Sequence, residues 1–329
     1  MTPNRRGSTA ESLRAELLTA KDLRQLPAPE WLLADILLRD STALLYGKPG
    51  TAKSFLALDW ALSIATGSWW FKREVTAGQV VYCAGEGVTG LAQRIDAWKD
   101  SRMFYDEPEG FDVLPRVVNL LDDQEVPKLC AMLADLEPRL VVIDTLARAT
   151  VGAEENSAKD MGRAIHNLDQ IRRATGACVL MVHHNNRAGS NPRGSSALDG
   201  AVETVIEVSR EGSTIRLKNP KQKDALEFTD VLLTLSPHLK SAVLSRYSPD
   251  GGDLNADALT VLRMLEEIAD EEGVTASVWG QVTANSGVAV RTFYRAKKHL
   301  LELGLTASDK DGRGARFTLT DLGRQRLDD

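Results

Sequence analysis

The chain has 329 residues, a formal net charge of −6, and 43% hydrophobic and 26% charged residues. That length suits two domains with a full core, and the acidic balance argues against a uniformly basic nucleic-acid binder. No apolar run reaches the roughly 18–20 residues needed to span a bilayer, and the polar start MTPNRRGSTAESLR lacks the apolar centre of a secretory signal. Cys83, Cys130 and Cys178 are scattered without a C-x-x-C pair, so neither a disulfide framework nor a zinc site is expected. A cytoplasmic protein with reduced thiols and no membrane partner is predicted.

In chain order, residues 1–27 are polar apart from Leu13, Leu17, Leu18 and Leu23, with Pro27 and Pro29 following. They are predicted to form an arm or linker helix. TALLYG (42–47) reads as a strand. The helix after it carries Phe55, Leu58, Leu62 and Ala65 and stops at Gly67. QVVYCAG (79–85) is a strand, and VTGLAQRIDAWK (88–99) and PKLCAMLADL (127–136) are helices. RLVVID (139–144) is an apolar strand ending in Asp144. Asn156 or Ser157 caps a helix with the stripe Met161, Ile165, Leu168 and Ile171, stopped by Gly176. ACVLMVHH (177–184), AVETVIEVS (201–209), STIRLKN (213–219) and VLLTLS (231–236) are strands. Near-continuous apolar strands separated by helices predict an α/β core over 28–248, its sheet mainly parallel and covered on both faces. SPDGGDLNA (248–256) reads as a linker. Residues 249–329 form a second, smaller domain of three helices and a hairpin.

Strand, glycine-rich turn, then helix is the context of a phosphate-binding loop. YGKPGTAKSF offers Gly47, Lys48, Pro49, Gly50, Thr51, Ala52, Lys53, Ser54 and the adjoining Phe55 as nucleotide contacts. Lys53 would reach the β- and γ-phosphates and Ser54 would bind Mg²⁺. Ala52 stands where the motif has its second glycine. Negative φ is expected there, which alanine tolerates, while Gly47 and Gly50 serve positions of unusual φ. Asp144, at a strand end beside this loop, would hold Mg²⁺ through water. Glu86, between Gly85 and Gly87 after another strand, would polarise a water for attack. Of His183 and His184, alternation sends one toward the core and one to the edge, where it could sense the γ-phosphate.

Together, YGKPGTAKSFLALDWALSIATG, VVYCAGEG…GLAQRIDAW, LVVIDTLAR and VLMVHHNNR…PRGSSALDGAVETVIEVSR resemble the RecA-like P-loop ATPases over about 28–248. The resemblance is closest to the RepA-like hexameric helicase ATPases of plasmids and phages. It implies ATP and Mg²⁺, with Glu86 as catalytic carboxylate, Asp144 as Mg²⁺-linked aspartate and His184 as γ-phosphate sensor. Arg210 would be an arginine finger given to a neighbour's site in a homo-hexamer or other ring. It also implies single-stranded DNA tracked by loops at a central channel. HNNRAGSNPRGSSALDG (184–200), with Arg187 and Arg193, is the first candidate loop. RATVGAEENSA (148–158) is the second, though acidic. Lys218, Lys221 and Lys223 read as a solvated face.

From 286 to 326 nine Lys/Arg stand against four acids. Helix 290–303 is expected to bury Val290, Phe293, Ala296 and Leu300 and to expose Arg291, Tyr294, Arg295, Lys297 and Lys298. With the glycine-bearing hairpin TASDKDGRGARFTLT, the module resembles a winged helix-turn-helix. Arg291, Arg295 and Lys298 would grip duplex DNA; docking on a loader or other replication protein is the alternative. The expected activity is an ATP-dependent DNA motor, a hexameric replicative helicase. A recombination or annealing ATPase without unwinding, or an ATP-switched DNA-binding regulator, are the other readings.

Overall fold

The structure is a computed structural model. It describes residues 14–15, 17–25, 28–153, 157–184, 196–247, 256–270, 272–310, 312 and 314–328. Leu13, Asn156, Arg187, Arg193 and most of the expected linker lie outside the described residues. The arm contributes one helical turn, α1 (Ala20–Leu23), with a capping box between Thr19 and Asp22. Arg14 and Ala15 are also helical, and Leu17, Leu18 and Leu23 are exposed. A small antiparallel pair, β1 (Trp31–Leu33) and β2 (Leu37–Leu38), leads into the core.

The core alternates as the sequence predicts. Its elements run β3 (Thr42–Gly47), α2 (Lys53–Thr66), β4 (Val80–Ala84), α3 (Val88–Ser101), β5 (Phe111–Leu114), α4 (Glu125–Leu136) and β6 (Leu140–Asp144). They continue with α5 (Leu146–Ala149), α6 (Ala158–Thr175), β7 (Cys178–His184), α7 (Ser196–Ala201) and β8 (Thr204–Glu211). Then come β9 (Thr214–Gln222), β10 (Val231–His238) and β11 (Ser241–Arg246). Ser157 caps α6 and Gly176 closes it in the left-handed region. The strand expected at 201–209 begins at Thr204, because α7 occupies the residues before it.

Among the described residues these nine strands form one sheet, ordered β11-β10-β9-β8-β3-β7-β6-β4-β5. From β8 to β5 every neighbouring pair is parallel, and β9, β10 and β11 extend the β8 edge antiparallel. The parallel strands β3, β4 and β6 are buried throughout, which is why they read as continuous apolar runs. One core cluster packs α2 and α3 against one face of the sheet, and a second packs α4 and α6 against the other. Within the first, buried Asp59 on α2 accepts hydrogen bonds from the indoles of Trp70 (2.7 Å) and Trp98 (2.5 Å) and from Arg102 (3.1 Å). Those bonds tie α2 to α3 and to the turn between them.

A third cluster draws its residues entirely from 258–327. It is built by α8 (Ala256–Ile268), β12 (Val274–Thr275), α9 (Ala276–Asn285), α10 (Val290–Glu302), β13 (Thr306–Ser308), β14 (Arg316–Leu319) and α11 (Asp321–Asp328). The strands form a small antiparallel sheet, β12-β14-β13. Trp279 is fully buried, meets Phe293 edge-on at 5.3 Å and donates its indole N–H to the Val261 carbonyl. Phe293, Ala296 and Leu300 face this core as expected, but Val290 does not. It is 61% exposed, and Val288, at 6%, takes the buried place just before the helix. Lys297 also departs from expectation. Its amine sits over the Phe317 ring at 4.6 Å and is half-buried, so it covers the core rather than standing in solvent.

Candidate active site

β3 sits inside the sheet with β7 on one side and β8 on the other. The chain leaves β3 for strands on the β7 side and returns later to β8, so the carboxyl end of β3 is a topological switch point, where open α/β sheets take ligands. The register aligns the proposed site residues along that edge. Gly47 pairs with His184, Asp144 pairs with Val182, and Ala84 pairs with Asp144. Glu86 and His184 each lie two residues beyond the Asp144 level. The Gly85 N–H extends the ladder by donating to the Asp144 carbonyl at 2.6 Å.

The loop from Gly47 to Ser54 ends at the start of α2, whose first backbone N–H groups have no side-chain cap. Uncapped N–H groups and the helix dipole favour an anion. Gly47 is needed for space rather than for unusual φ, since a Cβ there would lie 2.1 Å from the Val208 carbonyl oxygen. Gly50 does adopt positive φ (+81°). Ala52 overturns the expectation of negative φ. It stands at φ +69°, ψ +21°, the left-handed region that glycine would occupy without strain. Composition and spacing could not reveal this, because the turn that delivers Lys53 sets the angle.

Lys53 is buried, and its Nζ donates to the carbonyls of Gly47 (2.8 Å) and Lys48 (2.9 Å). Burial pulls its pKa down to about 8, against the attraction of Asp144. Asp144 is buried at the end of β6, and its Oδ2 accepts the Tyr82 hydroxyl at 2.6 Å. Burial raises its pKa, while the hydroxyls of Tyr82 and Ser54 and the charge of Arg94 favour the carboxylate; Glu86 repels it. Oδ1 is buried and accepts no hydrogen bond of good geometry among the described residues. An unsatisfied buried carboxylate oxygen near a serine hydroxyl is a hard-oxygen donor set of the kind Mg²⁺ takes. The residues present therefore fit the ion.

Glu86 is exposed at the same edge and pairs with Arg148, Oε1 to Nε at 2.9 Å. His183 is buried beside Tyr46, and His184 is half-buried beside Gly47. Arg210, near the end of β8, donates to the Gly212 carbonyl (3.1 Å) and weakly to Gly50 of its own loop (3.4 Å). Among the lysines read as a solvated face, Lys218 and Lys223 are exposed, and Lys221 reaches the Gly200 carbonyl. Three residues at the edge had no role assigned from the sequence: Tyr82, Arg94 and Arg148, the last of which opens the second candidate loop. The Arg94 guanidinium stacks over the Phe55 ring at 4.5 Å. Its place eight residues after Glu86, on the helix leaving that loop, is the one clue the sequence holds.

A family model described as an AAA domain matches residues 8–190, more than half of the chain. The matched stretch contains the loop, Glu86, Asp144 and His184, and ends before Arg210 and the third core cluster. A comparison with curated proteins gives no match.

Proposed function

The chain belongs to the AAA domain family, ATPases with a RecA-like P-loop core, and from that premise we propose that it is an ATP-driven DNA motor that works as a ring. The observation that carries this reading is one sheet edge, where β3, β4, β6 and β7 end in parallel register: Asp144 and His184 end their strands there, Glu86 lies just past β4, and Lys53 follows the loop after β3. The loop N–H groups and Lys53 bind and orient the ATP phosphates. Glu86 accepts the proton of the attacking water at a carboxylate oxygen. His184, beside Gly47, senses the γ-phosphate. Ser54 and Asp144 would hold Mg²⁺, which when bound neutralises charge on the phosphate oxygens.

Arg210 stands exposed at the rim of its own site and is suited to stabilise transferring charge in the site of a neighbouring copy, which makes the ring part of the chemistry. Mixing Arg210→Ala with Glu86→Gln subunits tests that role: mixed rings recover some hydrolysis, and no recovery in rings proven mixed removes it. The helices and small antiparallel sheet of the third cluster support reading it as a winged helix-turn-helix. Arg291 and Arg295 on α10 are exposed and make no ion pair among the described residues. Lys298 is exposed on the same helix. That basic face favours duplex DNA over a protein partner. Arg187 and Arg193 are proposed to track single-stranded DNA from the 184–200 segment.

Strand displacement on a forked duplex tests the motor reading. The wild type with ATP releases the strand and Lys53→Ala does not. DNA-stimulated hydrolysis without release would instead make the protein an annealing ATPase.

A further inference from the structure

Tyr82 has no part in the reaction scheme, yet its hydroxyl donates to Asp144 Oδ2 at 2.6 Å. The phenol is the donor, because a carboxylate offers lone pairs alone. The register explains the meeting. On β4 and β6, Tyr82 stands opposite Val142, and Ala84 stands opposite Asp144. Val80, Tyr82 and Ala84 share one face of the sheet with Leu140 and Val142, and alternation carries Asp144 to the same face. Asp144 is therefore the diagonal neighbour of Tyr82, two residues nearer the carboxyl edge, within reach of a phenol. Packing holds the ring in place. Tyr82 is 1% exposed, and its ring lies 6.1 Å from that of Phe111 on β5. Asp144 is its one hydrogen-bond partner among the described residues.

We propose that Tyr82 is a positioning residue: it commits Oδ2 of Asp144 to the protein, leaves Oδ1 for the water of a bound cation, and so favours Mg²⁺ over Ca²⁺. The inference rests on the reading of Asp144 as the Mg²⁺-linked aspartate. Oδ1 is the buried oxygen that accepts no hydrogen bond of good geometry among the described residues. A carboxylate held at one oxygen presents the other in a fixed direction, and groups that orient a metal-linked side chain strengthen its hold on the ion. The constraint also discriminates between cations. Mg²⁺ keeps several waters, demands an octahedron and is served by one carboxylate oxygen. Ca²⁺ takes more oxygens and accepts both from a single carboxylate. Pinning Oδ2 denies Ca²⁺ that second contact and removes nothing that Mg²⁺ uses. Phenylalanine at 82 would fill the same space less one oxygen atom, so Tyr82→Phe removes the hydrogen bond and preserves the packing.

The test uses the full chain and measures the affinity of a fluorescent, non-hydrolysable ATP analogue in EDTA, in Mg²⁺ and in Ca²⁺. By linkage, the gain in affinity on adding a cation reports how much more tightly that cation is held on the protein than on free nucleotide. In EDTA, Tyr82→Phe binds the analogue as the wild type does, since Lys53 and the loop are untouched. Its Mg²⁺ gain falls on the order of tenfold, the scale for a group that orients a metal-linked side chain. Its Ca²⁺ gain falls less, so the preference for Mg²⁺ narrows, a change that a merely structural tyrosine would not produce. An unchanged Mg²⁺ gain, or equal falls for the two cations, overturns the proposal. A loss of affinity already complete in EDTA overturns it as well. Asp144→Asn measured alongside separates the two layers. If that variant keeps the full Mg²⁺ gain, the reading of Asp144 fails and the proposal with it. If it loses the gain while Tyr82→Phe keeps it, the role of Tyr82 alone fails.

Discussion

At the residue scale, the phosphate loop carries two costs that a ligand would justify. Ala52 holds a left-handed conformation at the entry to α2, where an L-residue is disfavoured by about 1 kcal/mol or more. Ala52→Gly should therefore raise stability by up to about 1 kcal/mol, reduced by the greater freedom of glycine in the unfolded chain. Urea unfolding checks it, and a loss of stability would mean that the methyl packs usefully. The second cost is a buried ammonium. The pKa of Lys53 falls to about 8 in the fold from 10.5. Below pH 8 both folded and unfolded chains carry the proton, so the whole desolvation penalty is present. It fades as pH rises from about 8 toward 10.5, where only the unfolded lysine stays charged. Lys53→Met should thus stabilise the nucleotide-free protein at pH 7 on the order of 1–2 kcal/mol, after allowing for the two lost carbonyl contacts. Thermal melts across pH should show that advantage shrinking above pH 8, and an advantage constant with pH would contradict its electrostatic origin. Neither cost was legible in the sequence. The Ala52 angle depends on the turn, and the Lys53 shift depends on walls supplied by distant strands.

At the element scale, the readable parts were those buried on both faces. β3, β4, β6 and β7 are continuous apolar runs because helices cover both sides of the sheet, and α2 and α6 announced their ends with Gly67 and Gly176. The elements that escaped were the sheet margins. β5 and β11 are edge strands, only partly buried, with polar residues interleaved, so neither shows a clean period. β1 and β2 are too short for any period to show. On α10 the apolar spacing of Val290 fits the core stripe, but the stripe starts at Phe293 and Val288 fills the gap from the preceding turn. Val290 is left beside Arg291, Tyr294 and Arg295 on the open face. Arg316, counted with the basic residues, is already engaged with Glu272 and the Gly273 carbonyl. The grip on DNA should then come from α10. Reversing Arg291, Arg295 and Lys298 to Glu should weaken duplex binding and flatten its salt dependence by about three counterions' worth of slope. Basal hydrolysis should stay intact, because no residue proposed to bind nucleotide or catalyse its hydrolysis lies beyond Arg210. Unchanged affinity and slope in a fluorescence titration would transfer the module to a protein partner.

At the scale of the whole molecule, one sheet brings strands from distant parts of the chain to a common edge, and the account stands on what that edge does. Among the described residues no helix is long and apolar enough to cross a membrane. The order β8-β3-β7-β6-β4 lays the loop, His184, Asp144 and Glu86 side by side, which the linear sequence could only suggest through three polar strand ends near one loop. The most direct measurement is ATP binding and ATP turnover on the same preparations of wild type, Lys53→Ala and Glu86→Gln. The account predicts weakened binding for Lys53→Ala, and wild-type binding with turnover lost by at least about a hundredfold for Glu86→Gln. Wild-type turnover by Glu86→Gln would contradict it.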